Sequence, residues 1–170
     1  MRKAYAVLAW IIAGAVVVQA AAIAFGLSGL ISWVQDGGVL DKAVLESGEV
    51  SFAGVLGFVV HSLNGQFLIP LVTLALLGVS FGVRGRRPRV LAAVLVVLVA
   101  AQVTLGLTAP AAPYLGILHG ANALAILLVA VAAARLVRPA GAPAGAPAGA
   151  ATTGAPAAGS APRAEQPHGT

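Results

Sequence analysis

Two histidines, His61 and His119, are the residues of this chain best placed to do chemistry. They are the only Asp, Glu, Lys, Arg or His side chains deep inside its long apolar runs. An ionisable group at such depth is costly and by default a functional candidate. Each is followed three residues later by an asparagine, Asn64 and Asn122, on the same face of a helix. Gln19 and Gln102 lie at a similar level in the other two apolar runs. Small residues surround the set. Gly57 and Gly65 sit one turn to either side of His61, Gly116, Gly120 and Ala123 surround His119, and Gly106 lies one turn beyond Gln102. Glycine at these spacings strips side chains from the helix face, so that another helix or a flat ligand can approach the backbone.

Two imidazoles brought together from different helices, between flat walls, suit the axial ligation of a b-type haem. Helix bundles build cofactor sites from facing side chains in this way. His61 and His119 are then the metal ligands, with Gly57 and Gly65 forming flat walls. Asn64, Asn122, Gln19 and Gln102 would orient the imidazoles or meet the propionates. Two other readings stand beside this one. The polar residues could hydrogen-bond across helices and fix only the packing of a non-catalytic scaffold. Alternatively, the cluster could hold another ligand, such as a quinone or a metal ion. A proton relay is disfavoured because no carboxylate accompanies the histidines.

The elements that must position these groups are four apolar segments, roughly residues 4–27, 52–81, 90–108 and 115–137. Each reaches the roughly 20 residues that a bilayer crossing needs. The expected fold is all-α, an antiparallel four-helix transmembrane bundle over residues 1–138. Pro70 predicts a kink in span two. Basic residues set the orientation. Arg2 and Lys3 precede span one, four arginines separate spans two and three, and Arg135 and Arg138 close span four. The loop at 28–51 holds Asp36, Asp41, Glu46 and Glu49 against Lys42 alone. Both termini are therefore expected inside, with the acidic loop outside. On that topology His61 lies about nine residues below the outer surface, roughly 13 Å, and His119 about four, roughly 6 Å. In that loop Trp33 reads as an interfacial anchor, and residues 39–45 as a short amphipathic helix over the outer mouth. The N-terminus resembles a signal peptide, but its apolar run is too long, and retention is expected.

Composition narrows the function classes. The chain has 170 residues, 59% hydrophobic and 9% charged, against about 25% charged in soluble domains. It has no cysteine, and its one methionine is Met1. Disulfides, thiolate metal sites, iron–sulfur clusters, covalent haem attachment and a methionine copper site are excluded. The net charge of +5 is not read as a nucleic-acid signal, since the arginines crowd the ends of apolar runs. Residues 139–170 are Ala/Gly/Pro repeats, expected as a disordered cytoplasmic tail. No role falls to His168 there. The preference for Ala, Gly, Pro and Arg suggests a GC-rich bacterial genome, and hence an inner-membrane protein.

The stretches Gln102-Val103-Thr104-Leu105-Gly106 and Leu118-His119-Gly120-Ala121-Asn122-Ala123-Leu124 resemble one four-helix half of the haem A synthase family. There a Gln-x-x-x-Gly helix precedes a helix bearing a histidine haem ligand. His61 matches the second ligand of such a half. The overall layout from about residue 4 to 138 also resembles the small four-span bacterial family DUF6220. The resemblance implies a haem-holding scaffold with His61 and His119 as ligands, serving electron transfer or haem handling. It does not imply the synthase reaction, because only one half is present and no carboxylate lies in the spans. Pairing of two chains into a homodimer would imitate the eight-span arrangement.

Overall fold

The computed structural model describes residues 1–47 and 51–137; Glu49, Arg138 and the tail at 139–170 lie outside the described residues. Among the described residues, six α-helices follow in order: α1 (Arg2–Gln35), α2 (Lys42–Ser47), α3 (Val55–Leu63), α4 (Ile69–Ser80), α5 (Arg87–Thr108) and α6 (Leu115–Leu136). A π-helical segment, Asn64–Leu68, joins α3 to α4, so that span two is one distorted rod. Among the described residues, four helical stretches are long and apolar enough to cross a membrane. The chain is thus a multi-pass membrane bundle. Helix α1 packs on span two and α6, α4 packs on α5, and α5 on α6, closing an up-and-down ring.

The core occupies the half of the bundle that carries the arginines. Tyr5, Ile12, Leu76, Leu95, Ile126 and Ala130 are all buried there. Three hydroxyl groups are bonded in this half as well. Thr73 and Ser80 are buried and donate within their own helix, to Ile69 O (2.7 Å) and Leu77 O (2.6 Å). The Tyr5 hydroxyl donates across the bundle to Pro88 O at 2.9 Å. A hydroxyl can satisfy itself on a nearby carbonyl at little cost, whereas an imidazole or amide must find a partner on another helix.

Helix α1 runs eight residues beyond the expected span end at Leu27, to Gln35. Trp33 therefore belongs to its last turn rather than to a loop, and stacks on Phe52 with ring centroids 5.8 Å apart. The short helix of the acidic loop forms at 42–47, slightly later than expected, and the Asp41 carboxylate caps its start by accepting from Val44 N–H. Spans one and two meet through glycine. A side chain at Gly29 would collide with Ala53 O, and one at Gly57 with Ala22 O and the Gly26 backbone. Gly54, at φ +107°, turns the chain into α3 against Phe25 O in a conformation that favours glycine.

The disturbance expected at Pro70 takes a specific form. Proline withholds its N–H from the carbonyl four residues back. The preceding turn widens, so that Ile69 N–H bonds to Asn64 O, five residues away. The consequence is one of register. Gly57, Asn64, Ile69, Thr73, Leu76 and Ser80 are buried, and the step from 64 to 69 is five where a regular stripe would have three or four. The extra residue keeps His61 and Asn64 on the same interior stripe as the core of α4.

Candidate functional site

The two hairpins of the bundle, spans one–two and spans three–four, build the same local structure. In the first, His61 Nδ1 is 3.1 Å from Gln19 O; in the second, His119 Nδ1 is 3.1 Å from Gln102 O. A carbonyl can only accept, so each Nδ1 carries the proton and each Nε2 presents its lone pair. The asparagine three residues on locks each hairpin. Asn64 Nδ2 donates to Ala15 O (3.0 Å) and Gln19 Oε1 (3.2 Å). Asn122 Nδ2 donates to Leu98 O (2.9 Å) and Gln102 Oε1 (2.7 Å). Each accepting carbonyl lies four residues before its glutamine. A Gln…His-x-x-Asn unit therefore occurs twice. The sequence carries the signal, which appears when spans one–two are aligned on spans three–four.

The two units bring their histidines together, with ring centroids 6.2 Å apart and planes tilted by 51°. A metal–imidazole bond is about 2 Å, so two imidazoles sharing one metal through Nε2 place their centroids about 6 Å apart. The centroid distance here is the one that two imidazoles sharing a metal would have. Among the described residues, no three or more His, Cys, Asp or Glu side chains gather at one point. A closed four-ligand protein site is therefore not what the residues form. The units differ in one respect. Gln102 Nε2 lies 3.1 Å from His119 Nε2 and donates to it, whereas among the described residues no bond is made to His61 Nε2. A ligand at His119 Nε2 has to displace that amide.

Two cavities flank the histidine pair. One, of about 340 Å³, has an apolar lining that includes Val17, Ala20, Ile23, Gly120 and Leu124 and reaches the surface between spans one and four. The other, of about 150 Å³, reaches Ser62, Gln66, Val103 and Leu107 between spans two and three. Gln19, His61, Gly65, Gln102 and His119 line both. The pair therefore stands at the middle of a slot that crosses the bundle, apolar at one mouth and carrying hydroxyl and amide groups at the other. The slot exists because α3 rests chiefly on α1 while α4 packs on both α1 and α5. Span two diverges from span three at the level of His61.

The expected site residues divide accordingly. Gly65 lines the slot, and a Cβ there would stand 2.5 Å from Gln19 Nε2. Gly106 faces His119, leaving only 3.0 Å from a Cβ to the ring. Gly120 lines the larger cavity, and nothing stands within 4 Å of a Cβ at Gly116. Gly57, expected as a wall, instead presses on the backbone of α1 and serves helix approach. The two asparagines are held by backbone and glutamine oxygens, so their place is to orient. Ser62 and Gln66, joined by a 2.8 Å hydrogen bond from Gln66 Nε2 to Ser62 Oγ, were not singled out from sequence. Asn64 Oδ1 is buried and makes no hydrogen bond among the described residues.

Fold and site together define a four-span membrane bundle with a duplicated glutamine–histidine–asparagine unit and its two imidazoles paired. No family model matches the chain, and no curated protein or solved structure matches it either.

Proposed function

We propose that this chain holds one b-type haem between His61 and His119, for electron transfer or haem handling. The observation that carries the reading is the facing imidazole pair, 6.2 Å between centroids, with both Nδ1 atoms fixed by backbone carbonyls. Those carbonyls orient the rings and select the tautomer, as such partners do for metal-bound histidine. A haem held by His61 and His119 would supply one-electron chemistry. Gly65 and Gly106 keep the space beside the rings clear. Val17, Ile23 and Leu124 offer an apolar wall to a macrocycle, while Ser62, Gln66 and Gln102 offer donors to its carboxylate edge. The basic loop and basic termini favour both ends of the chain in the cytoplasm, and the composition favours a bacterial inner membrane.

The visible spectrum of protein purified after haem-supplemented expression tests this. A Soret band with sharp reduced α and β bands is expected, and His61→Ala and His119→Ala should each abolish the low-spin form. A colourless preparation, with His61→Gln silent for stability, would leave a packing scaffold instead. A second reading rests on a different observation. An apolar groove between spans two and three, lined by Pro70, Thr73, Leu74 and Val96, shares Gln66 and Val103 with the polar mouth. A quinone ring at that mouth with its tail in the groove would co-purify as extractable quinone.

A further inference from the structure

At the end of the bundle opposite the histidines, four arginines border one cavity. It measures about 570 Å³ and is lined by Arg2 from α1, Arg84, Arg86 and Arg87 from the turn into α5, and the end of α6 at Leu136 and Val137. Its floor is apolar and packed. Val83, Pro88 and Val137 are buried, and the Tyr5 hydroxyl ties Pro88 O from beneath. Its rim carries Arg2, Arg84, Arg86 and Arg87, all four exposed. Like charges crowded in this way repel unless a counter-charge sits among them. The chain has few to offer. Of its five acidic residues, Asp36, Asp41, Glu46 and Glu49 lie in the loop between spans one and two, and Glu165 lies in the tail. The one ion pair formed among the described residues, Lys42 with Glu46, is in that loop as well. Helices α1 and α5 both start at the cavity with no side chain capping their first amides, which adds unfilled donors to the same rim.

We propose that this cavity binds a phosphate-bearing anion, with the headgroup of an anionic phospholipid as its occupant. The guanidinium fork matches phosphate oxygens two at a time. Basic pockets between helices at a membrane surface take anionic headgroups in this manner. The surroundings favour a lipid over free phosphate. Beyond the rim, the outward face of α5 carries an apolar groove along Val90, Val94 and Val97, in line for an acyl chain. The proposal is independent of any ligand at the histidines.

Native mass spectrometry of the purified chain in neutral detergent tests it, with phosphatidylglycerol against phosphatidylcholine as probes. Retention of phosphatidylglycerol is expected, and Arg84→Gln with Arg87→Gln should weaken it by roughly tenfold. Arg89→Gln with Arg135→Gln removes the same charge from the same end but outside the cavity lining, and should change retention less than about twofold. Lipid that survives millimolar inorganic phosphate assigns the headgroup. Displacement by phosphate keeps the cavity as a phosphate site but gives it the free ion. Equal losses in the two double variants, or no preference for phosphatidylglycerol in the unaltered chain, would overturn the proposal.

Discussion

The two halves of this bundle solve opposite problems with the same four helices. Beneath the arginine rim, Tyr5, Ile12, Leu76, Leu95 and Ile126 are fully buried between the helices. Membrane helices gain nothing from hiding apolar surface, so close packing of this kind holds them together. At the histidine end the helices carry the residues that could pack, yet a slot stays open across the bundle. What holds that end is a small set of cross-helix hydrogen bonds and the glycine contact of Gly57 on α1. Rigidity in one half permits vacancy in the other. A region that stays open across the bundle cannot also be the one that fixes the fold.

The sharpest way to break this contrast is to remove volume from each half in turn. Leu76→Ala and Leu95→Ala should each cost about 2–4 kcal/mol, because a fully buried leucine leaves a cavity that the neighbours cannot fill. Ile23→Ala, which enlarges a space already open, should cost less than about 1 kcal/mol on the same reasoning. Reversible unfolding in mixed detergent measures both. Equal losses would mean that the slot is closed in the folded protein, and the division of labour would fail.

Next in size are the asparagines. Asn64→Leu and Asn122→Leu each delete two hydrogen bonds between helices, and cross-helix bonds in membranes average about 0.6 kcal/mol. A loss of roughly 1 kcal/mol is expected for each, detected by the same unfolding assay. The duplicated unit predicts near-equality of the two. A loss confined to one variant would show that the two hairpins are alike in geometry but not in energy.

The fold was largely legible because the bilayer demands long apolar runs, and spans two to four begin and end within a few residues of where those runs do. The first span was not. Residues 28–35 are polar enough to look like loop, but they contain nothing that stops a helix, and α1 continues through them. The site was legible in part. His61, His119, Asn64, Asn122, Gln19 and Gln102 stand out because polar groups are rare at depth. Their pairings do not, since which carbonyl an amide reaches depends on helix rotation, and an all-apolar helix shows no periodicity from which to read rotation. Gly57 and Gly65 look alike in sequence and differ only in what faces them.

The smallest effect should come from Pro70→Ala, and its smallness is informative. Restoring the missing N–H gives Gln66 O a partner and permits a regular turn. If proline alone made the π segment, the variant would relax to an α-helix, and residues above it would rotate by about 100° relative to α4. His61 would then leave Gln19, and Asn64 would leave Ala15. The bonds they make, and the Gly57 contact with α1, all resist that rotation. The π turn should therefore persist, with stability changed by less than about 1 kcal/mol. The chain has three histidines, so nitrogen NMR of ¹⁵N-histidine protein can follow His61 directly. Its Nδ1–H signal should be unchanged in the variant. Disappearance of that signal would show that Pro70, and not the hydrogen-bonded half above it, sets the register on which the histidine pair depends.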